Sequence, residues 1–137
     1  MSLSNTFENN ILDEAVGDTP ATALAGSARY LALLTADPTD AGTLTSEVSG
    51  GSYARVDTNG LWAAASGGSK SNSSALTFPT ATADWADGSP NQVTHWALCT
   101  AASAGAVVLS GALTTARTIL NGDTFSFAIG QLTITAD

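Results

Sequence analysis

The chain has 137 residues, enough for one domain that buries roughly two-thirds of the surface its unfolded form exposes. Hydrophobic residues make up 44% and charged ones 12%, so Ser, Thr, Asn, Gly and Ala must cover most of the surface. The basic residues Arg29, Arg55, Lys70 and Arg117 are scattered against twelve acids for a net charge of −8, which excludes the clustered cations of nucleic-acid binding.

At the N-terminus, Leu3, Phe7, Ile11, Leu12, Ala15 and Val16 recur at helical spacing and predict one short helix with an apolar face. Asn5 and Glu8 have the spacing of a capping box with Asn5 as the N-cap, and Gly17 supplies a stop. The other side carries Asn9, Asn10, Asp13 and Glu14, so the apolar side must lie on its own domain or on a neighbouring subunit. Residues 1–17 therefore read as a helical arm, 18–27 as a Thr, Ala, Pro and Gly linker, and 28–137 as a single domain. The acids of this first segment stand where an export signal needs a basic start and an apolar centre, and no stretch has the length of a membrane span. Assembly in the cytoplasm without a membrane is the expectation.

The run from Ala28 to Thr35 is apolar on both faces, as a sandwiched strand is, and Asp37-Pro38 followed by Asp40-Ala41-Gly42 makes a turn and loop. Ser49-Gly50-Gly51-Ser52 signals another turn before the alternating Tyr53–Asp57, and Asn59-Gly60 a third before Leu61–Ala65. Ser66 to Ser74 reads as a run that cannot pack. Ala75–Phe78 is a short strand ended by Pro79, and Pro79–Gln92 reads as a long polar loop holding Trp85. Val93–Thr100 and Ala106–Leu113 form two strong strands joined by the small residues Ala101–Gly105, which predicts an antiparallel hairpin. Asn121-Gly122 between Thr118–Leu120 and Thr124–Ile129 is the strongest hairpin signal, and Gln131–Thr135 alternates to the end. About seven to eight short strands with turn signals between them predict an antiparallel β-sandwich with one short N-terminal α-helix.

Chemistry-bearing patterns are sparse. One His and one Cys cannot assemble a His/Cys zinc site within one subunit, and the single Cys99 excludes an internal disulfide. Among Trp96, Ala97 and Leu98, Cys99 reads as a buried thiol. His95 lies within a strand with no Gly-x-Ser-x-Gly nearby, so a structural or interfacial role is expected. The pairs Asp37/Asp40 and Asp84/Asp87 lack the alternating acids of a calcium loop, and Gly50-Gly51 and Gly67-Gly68 lack the Gly-Lys-Ser/Thr of a phosphate cradle. No catalytic residue, metal site or cofactor is assigned.

Tyr30–Asp40, Glu47–Arg55, Thr77–Trp85, Val93–Leu98 and Asn121–Phe125 resemble a family of small virion proteins encoded by tailed bacteriophages. The resemblance implies a virion structural protein without enzymatic activity. The group includes proteins labelled as tail-fibre proteins, and small sandwiches of this size also serve as capsid decoration, or cement, proteins. The lack of coiled-coil heptads and shaft repeats favours decoration, with the major capsid protein and neighbouring copies of the chain as partners. A tail-fibre or tail-tip component bound to tail proteins is the alternative. Candidate partner contacts are Leu3, Phe7, Ile11 and Leu12 of the helix, Asp37, Pro38 and Asp40 of the first loop, and Trp85. A third reading, a carbohydrate-binding sandwich, needs Trp62, Trp85 and Trp96 as stacking platforms.

Overall fold

The computed structural model describes residues 2–16 and 29–135, so the expected stop at Gly17 and linker at 18–27 lie outside the described residues. Antiparallel pairing dominates. Strand β1 (Ser2–Leu3) precedes helix α1 (Asn5–Val16), and β2 (Tyr30–Leu34) and β3 (Val56–Asp57) follow. Then come β4 (Ser69–Ser71), β5 (Leu76–Thr77), β6 (Val93–Cys99), β7 (Val107–Arg117), β8 (Ser126–Phe127) and β9 (Thr133–Thr135). The main sheet has the order β1-β7-β6-β2-β3, while β4 pairs with β9 and β5 with β8 in two small sheets.

The period of two along β2 explains the layering. Leu31 and Leu33 point into the principal core with Trp96 and Leu98 of β6, Leu76 of β5 and Phe127 of β8. Ala32 and Leu34 point the other way, where Ala97, Cys99 and Val107 form a smaller cluster under Leu44. The sandwich thus has the main sheet on one side of its core and the two small sheets on the other. Both faces of β2 are buried, as the apolar run predicts, although β6 occupies the middle of the sheet. The β6–β7 hairpin also forms as expected, in a register that sets Leu98 opposite Leu109.

Four local expectations are corrected. Leu3 belongs to β1, paired with Leu109, because strand pairing at the β7 edge satisfies its backbone before the helix begins. Ser4, not Asn5, is the N-cap: its carbonyl accepts the Phe7 and Glu8 N–H groups at 2.9 and 3.0 Å. The Ser4 hydroxyl donates to the Val107 carbonyl at 2.6 Å, and Asn5 N–H is satisfied instead by the Asp40 carbonyl at 3.0 Å.

The segment Ser66–Ser74 packs after all. Its strand β4 pairs with β9, and Asn72 is 1% exposed. Asn72 Nδ2 donates to the carbonyls of Ser74 and Ala128 at 2.8 and 2.9 Å, and Oδ1 accepts the Leu132 N–H at 2.9 Å. Asn121-Gly122 does make a turn, closed by the Asp123 N–H on the Leu120 carbonyl at 3.0 Å, but its flanks do not pair with each other. The start of the expected Pro79–Gln92 loop lies between them: Ala81 N–H donates to the Asp123 carbonyl, Gly122 N–H to the Ala81 carbonyl, and Trp85 N–H to the Ile119 carbonyl. A two-residue signal fixes a turn, whereas the partner of each flank is a tertiary outcome.

Candidate interaction surface

The first loop and the start of the helix form one unit. Asp37 Oδ1 accepts the Thr39 N–H at 2.8 Å, an Asx turn that carries Thr39 to a φ of +56°. Gly42 N–H then donates to the Thr39 carbonyl at 3.0 Å. Gly42 has a φ of +64°, and a Cβ on it would stand 3.2 Å from Val107 Cβ and 3.4 Å from Ser4 Cβ, so the loop rests closely on both β7 and the N-cap. Besides capping Asn5, Asp40 accepts the Ser2 hydroxyl on Oδ1 at 2.8 Å. His95 extends the same patch: Nδ1 is 2.9 Å from the Thr94 hydroxyl, and Nε2 is 4.0 Å from Asp37 Oδ2.

Burial divides the residues that the sequence marks as contacts. Asp37 and Asp40 are exposed and Leu3 is half-buried. Phe7 is 1% exposed and sits in the principal core, with the Arg29 guanidinium 5.6 Å from its ring centre. Pro38 is fully buried beneath its loop. Neither offers a surface to a partner, because both side chains are enclosed by the chain itself.

Beyond Phe7 the apolar stripe of α1 is uncovered: Ile11 is 40%, Leu12 60% and Val16 76% exposed. Exposed Glu8, Asp13 and Glu14 border it. A helix that spends its first turn on the core and leaves its later turns open presents an apolar patch with an acidic rim, a composition suited to a protein contact. Leu120 and Ile129 are two further exposed apolar side chains, both in turns.

Trp85 belongs elsewhere. It is buried, its indole N–H donates to the Gly51 carbonyl at 2.8 Å, and its ring meets Tyr53 edge-on at 5.3 Å between centroids. Trp85 therefore closes over the chain's own core and is not the exposed partner contact that the sequence suggests. With Trp96 also buried and Trp62 half-buried, the three tryptophans present no common platform for sugar stacking.

The internal ionisable groups serve the fold. Tyr53 Oη accepts the Leu33 N–H at 3.0 Å and donates to Glu47 Oε1 at 3.0 Å, and burial pushes its phenol well above the usual range. The Glu47 carboxylate, through its hydrogen bonds, raises the pKa of Arg55. Burial pushes the Cys99 thiol up to about 11, opposite to what a nucleophilic thiol needs. Among the described residues no group of three or more His, Cys, Asp or Glu side chains is placed to hold a metal ion. No described helix is long and apolar enough to cross a membrane.

A comparison with curated proteins returns no match. The family model described as podophage GP4 fiber I protein gp80 matches residues 2–135, from β1 through β9. That span contains every element described above. The chain therefore belongs to the podophage GP4 fiber I protein gp80 family, a family of tailed-phage virion structural proteins.

Proposed function

We propose that the chain is a non-enzymatic subunit of a tailed-phage fibre, folded before assembly and used for its outer shape. The observation that carries this reading is the family match across residues 2–135, whose description names a fibre protein. The uncovered half of α1 and the adjoining Asp37–Gly42 loop serve as the attachment surface for another virion protein. Ile11, Leu12 and Val16 supply its apolar centre, and Asp37 and Asp40 its polar rim. Fully burying one such aliphatic side chain contributes roughly 1.5–3 kcal/mol, and repeated attachment points in one particle multiply modest contacts through effective concentration.

A second reading is a capsid decoration protein laid across joints between major capsid subunits. It is supported by the sandwich fold and by the length of α1, 12 residues, which is too short for a coiled-coil shaft. Both readings use the same attachment surface and differ in where the chain resides. Electron microscopy of intact virions labelled with a gold-conjugated antibody against the chain separates them. Gold at the tail supports the fibre reading, and gold across the head faces replaces it with decoration.

A further inference from the structure

We propose that the trench between β7 and the segment 123–133 is a binding site for a neutral saccharide chain, an activity separate from attachment to the virion. The trench arises from a mismatch in strand length. Val93 of β6 pairs with Arg117, and His95 with Ala112, so the stretch Leu113–Ala116 stands opposite Thr94 alone and bows out of the sheet. Three adjoining hollows of about 310, 430 and 250 Å³ follow the bowed stretch. The first two share Arg117, Phe125 and Ser126, and the last two share Thr114, Phe127 and Gln131, so they run together as one open channel.

The lining has the chemistry of sugar recognition. Arg117 and Gln131 bring planar groups with several donors, Thr114 and Ser126 bring hydroxyls, and the half-buried Phe125 offers a ring. At the far end lies Trp96, only 5% exposed. Its indole N–H has no hydrogen-bond partner among the described residues, in contrast to Trp85, whose N–H is held by Gly51. No described side-chain nitrogen or oxygen that is sealed from solvent lacks a partner, so the Trp96 nitrogen must open to the outside. It opens at the trench, since its Cζ2, Cε2 and Nε1 edge lies against Gly111, where a Cβ would be 2.7 Å from Cζ2 and 3.2 Å from Nε1. A nearly buried donor left without a partner at the end of a hydroxyl-lined channel is a place for a ligand oxygen.

The other classes of occupant fit less well. An extended peptide added to β7 needs a regular row of backbone groups, which the bowed stretch interrupts. A nucleic acid needs several cations, and the trench has Arg117 alone, beside Asp123. The opposite charges of Arg117 and Asp123 offset each other in the same hollow, so the channel carries little net charge and suits an uncharged chain of hydroxyls.

The test applies the full-length protein to an array of neutral tri- and tetrasaccharides of hexoses and N-acetylhexosamines. The unmodified protein is expected to bind at least one of them, with affinity reduced about tenfold or more in Arg117→Ala, whose side chain is exposed, and in Trp96→Phe. Because Trp96→Phe also alters the core, the indole N–H resonances of the unmodified protein give an independent readout. Titration with the bound saccharide should move the Trp96 signal and leave that of Trp85 in place. Failure of every saccharide to bind, or binding that leaves both the Trp96 signal and the Arg117→Ala affinity unchanged, overturns the proposal.

Discussion

Arg55 grips Glu47 through two parallel hydrogen bonds, Nε to Oε1 at 2.7 Å and Nη2 to Oε2 at 2.6 Å. The remaining nitrogen, Nη1, donates to the carbonyls of Ala101 and Ala104 at 2.7 and 2.8 Å. One side chain therefore ties the β6–β7 connection to the segment beside β2, with 2% of its surface exposed. A buried pair of this kind adds little over an apolar substitute but is costly to break, because the remaining charge is stranded.

Arg55→Ala is accordingly expected to lower stability by about 3–5 kcal/mol in urea unfolding. Arg55→Lys should recover little of it, since an ammonium group cannot reproduce the fork or reach both carbonyls. A loss below about 1 kcal/mol, the range of exposed pairs, would show that the grip is not maintained in solution.

Asn72 joins β4 to the turn before β9 without any apolar contribution. Asn72→Ala strands the buried Leu132 N–H and removes the donor from the half-buried Ser74 carbonyl and the exposed Ala128 carbonyl, and should cost about 1–3 kcal/mol, the range for one buried group left unpaired. Asn72→Asp should be worse, because a carboxylate would face the Ser74 and Ala128 carbonyls. Thermal unfolding of the two variants checks the order, and equal midpoints for Asn72→Asp and the unmodified chain would contradict it.

What the sequence makes legible follows from the same contrast. Apolar periodicity marks β2, β6, β7 and α1, because burial there is carried by side chains that avoid water. It is silent on Ser66–Ser74, where a hydrogen-bonded Asn72 organises the backbone. The acids and the proline of the first loop mark a turn, yet Pro38 is buried while Asp37 and Asp40 face outward, since loop composition does not say which side chain lies underneath. The helical stripe from Phe7 to Val16 is real in pattern, but only its first member reaches the core. Periodicity identifies an apolar face and leaves open what covers it. The bowed part of β7 has no sequence signal at all, because it comes from the difference in length between paired strands.

The raised thiol pKa gives a pH dependence with a definite sign. Burial moves Cys99 from 9.0 to about 11, so the folded chain keeps this proton longer than the unfolded one. The contribution is complete below about pH 9 and is lost as pH climbs through the window up to about 11. Tyr53, raised by its own burial, acts in the same direction. Urea midpoints should therefore fall more steeply across that window for the unmodified chain than for Cys99→Ala. Parallel curves would place the thiol in contact with water, as would rapid reaction of the folded chain with a thiol reagent at neutral pH.

The two halves of α1 should separate stability from assembly. Phe7→Ala empties a core site and is expected to cost about 3–5 kcal/mol. Leu12→Asp, on the open face, should shift stability by no more than about 0.5 kcal/mol while reducing incorporation into particles during infection. Normal incorporation of the folded Leu12→Asp protein would remove the distal helix from the attachment surface.

The most direct measurement is the molar ratio of this chain to the major capsid protein in purified virions, by quantitative mass spectrometry against isotope-labelled peptides. A fibre subunit should be present as a small fraction of the capsid protein and should remain with the tail fraction after particles are disrupted. A ratio approaching one, with the chain remaining on isolated heads, would contradict the fibre assignment and identify a protein of the shell.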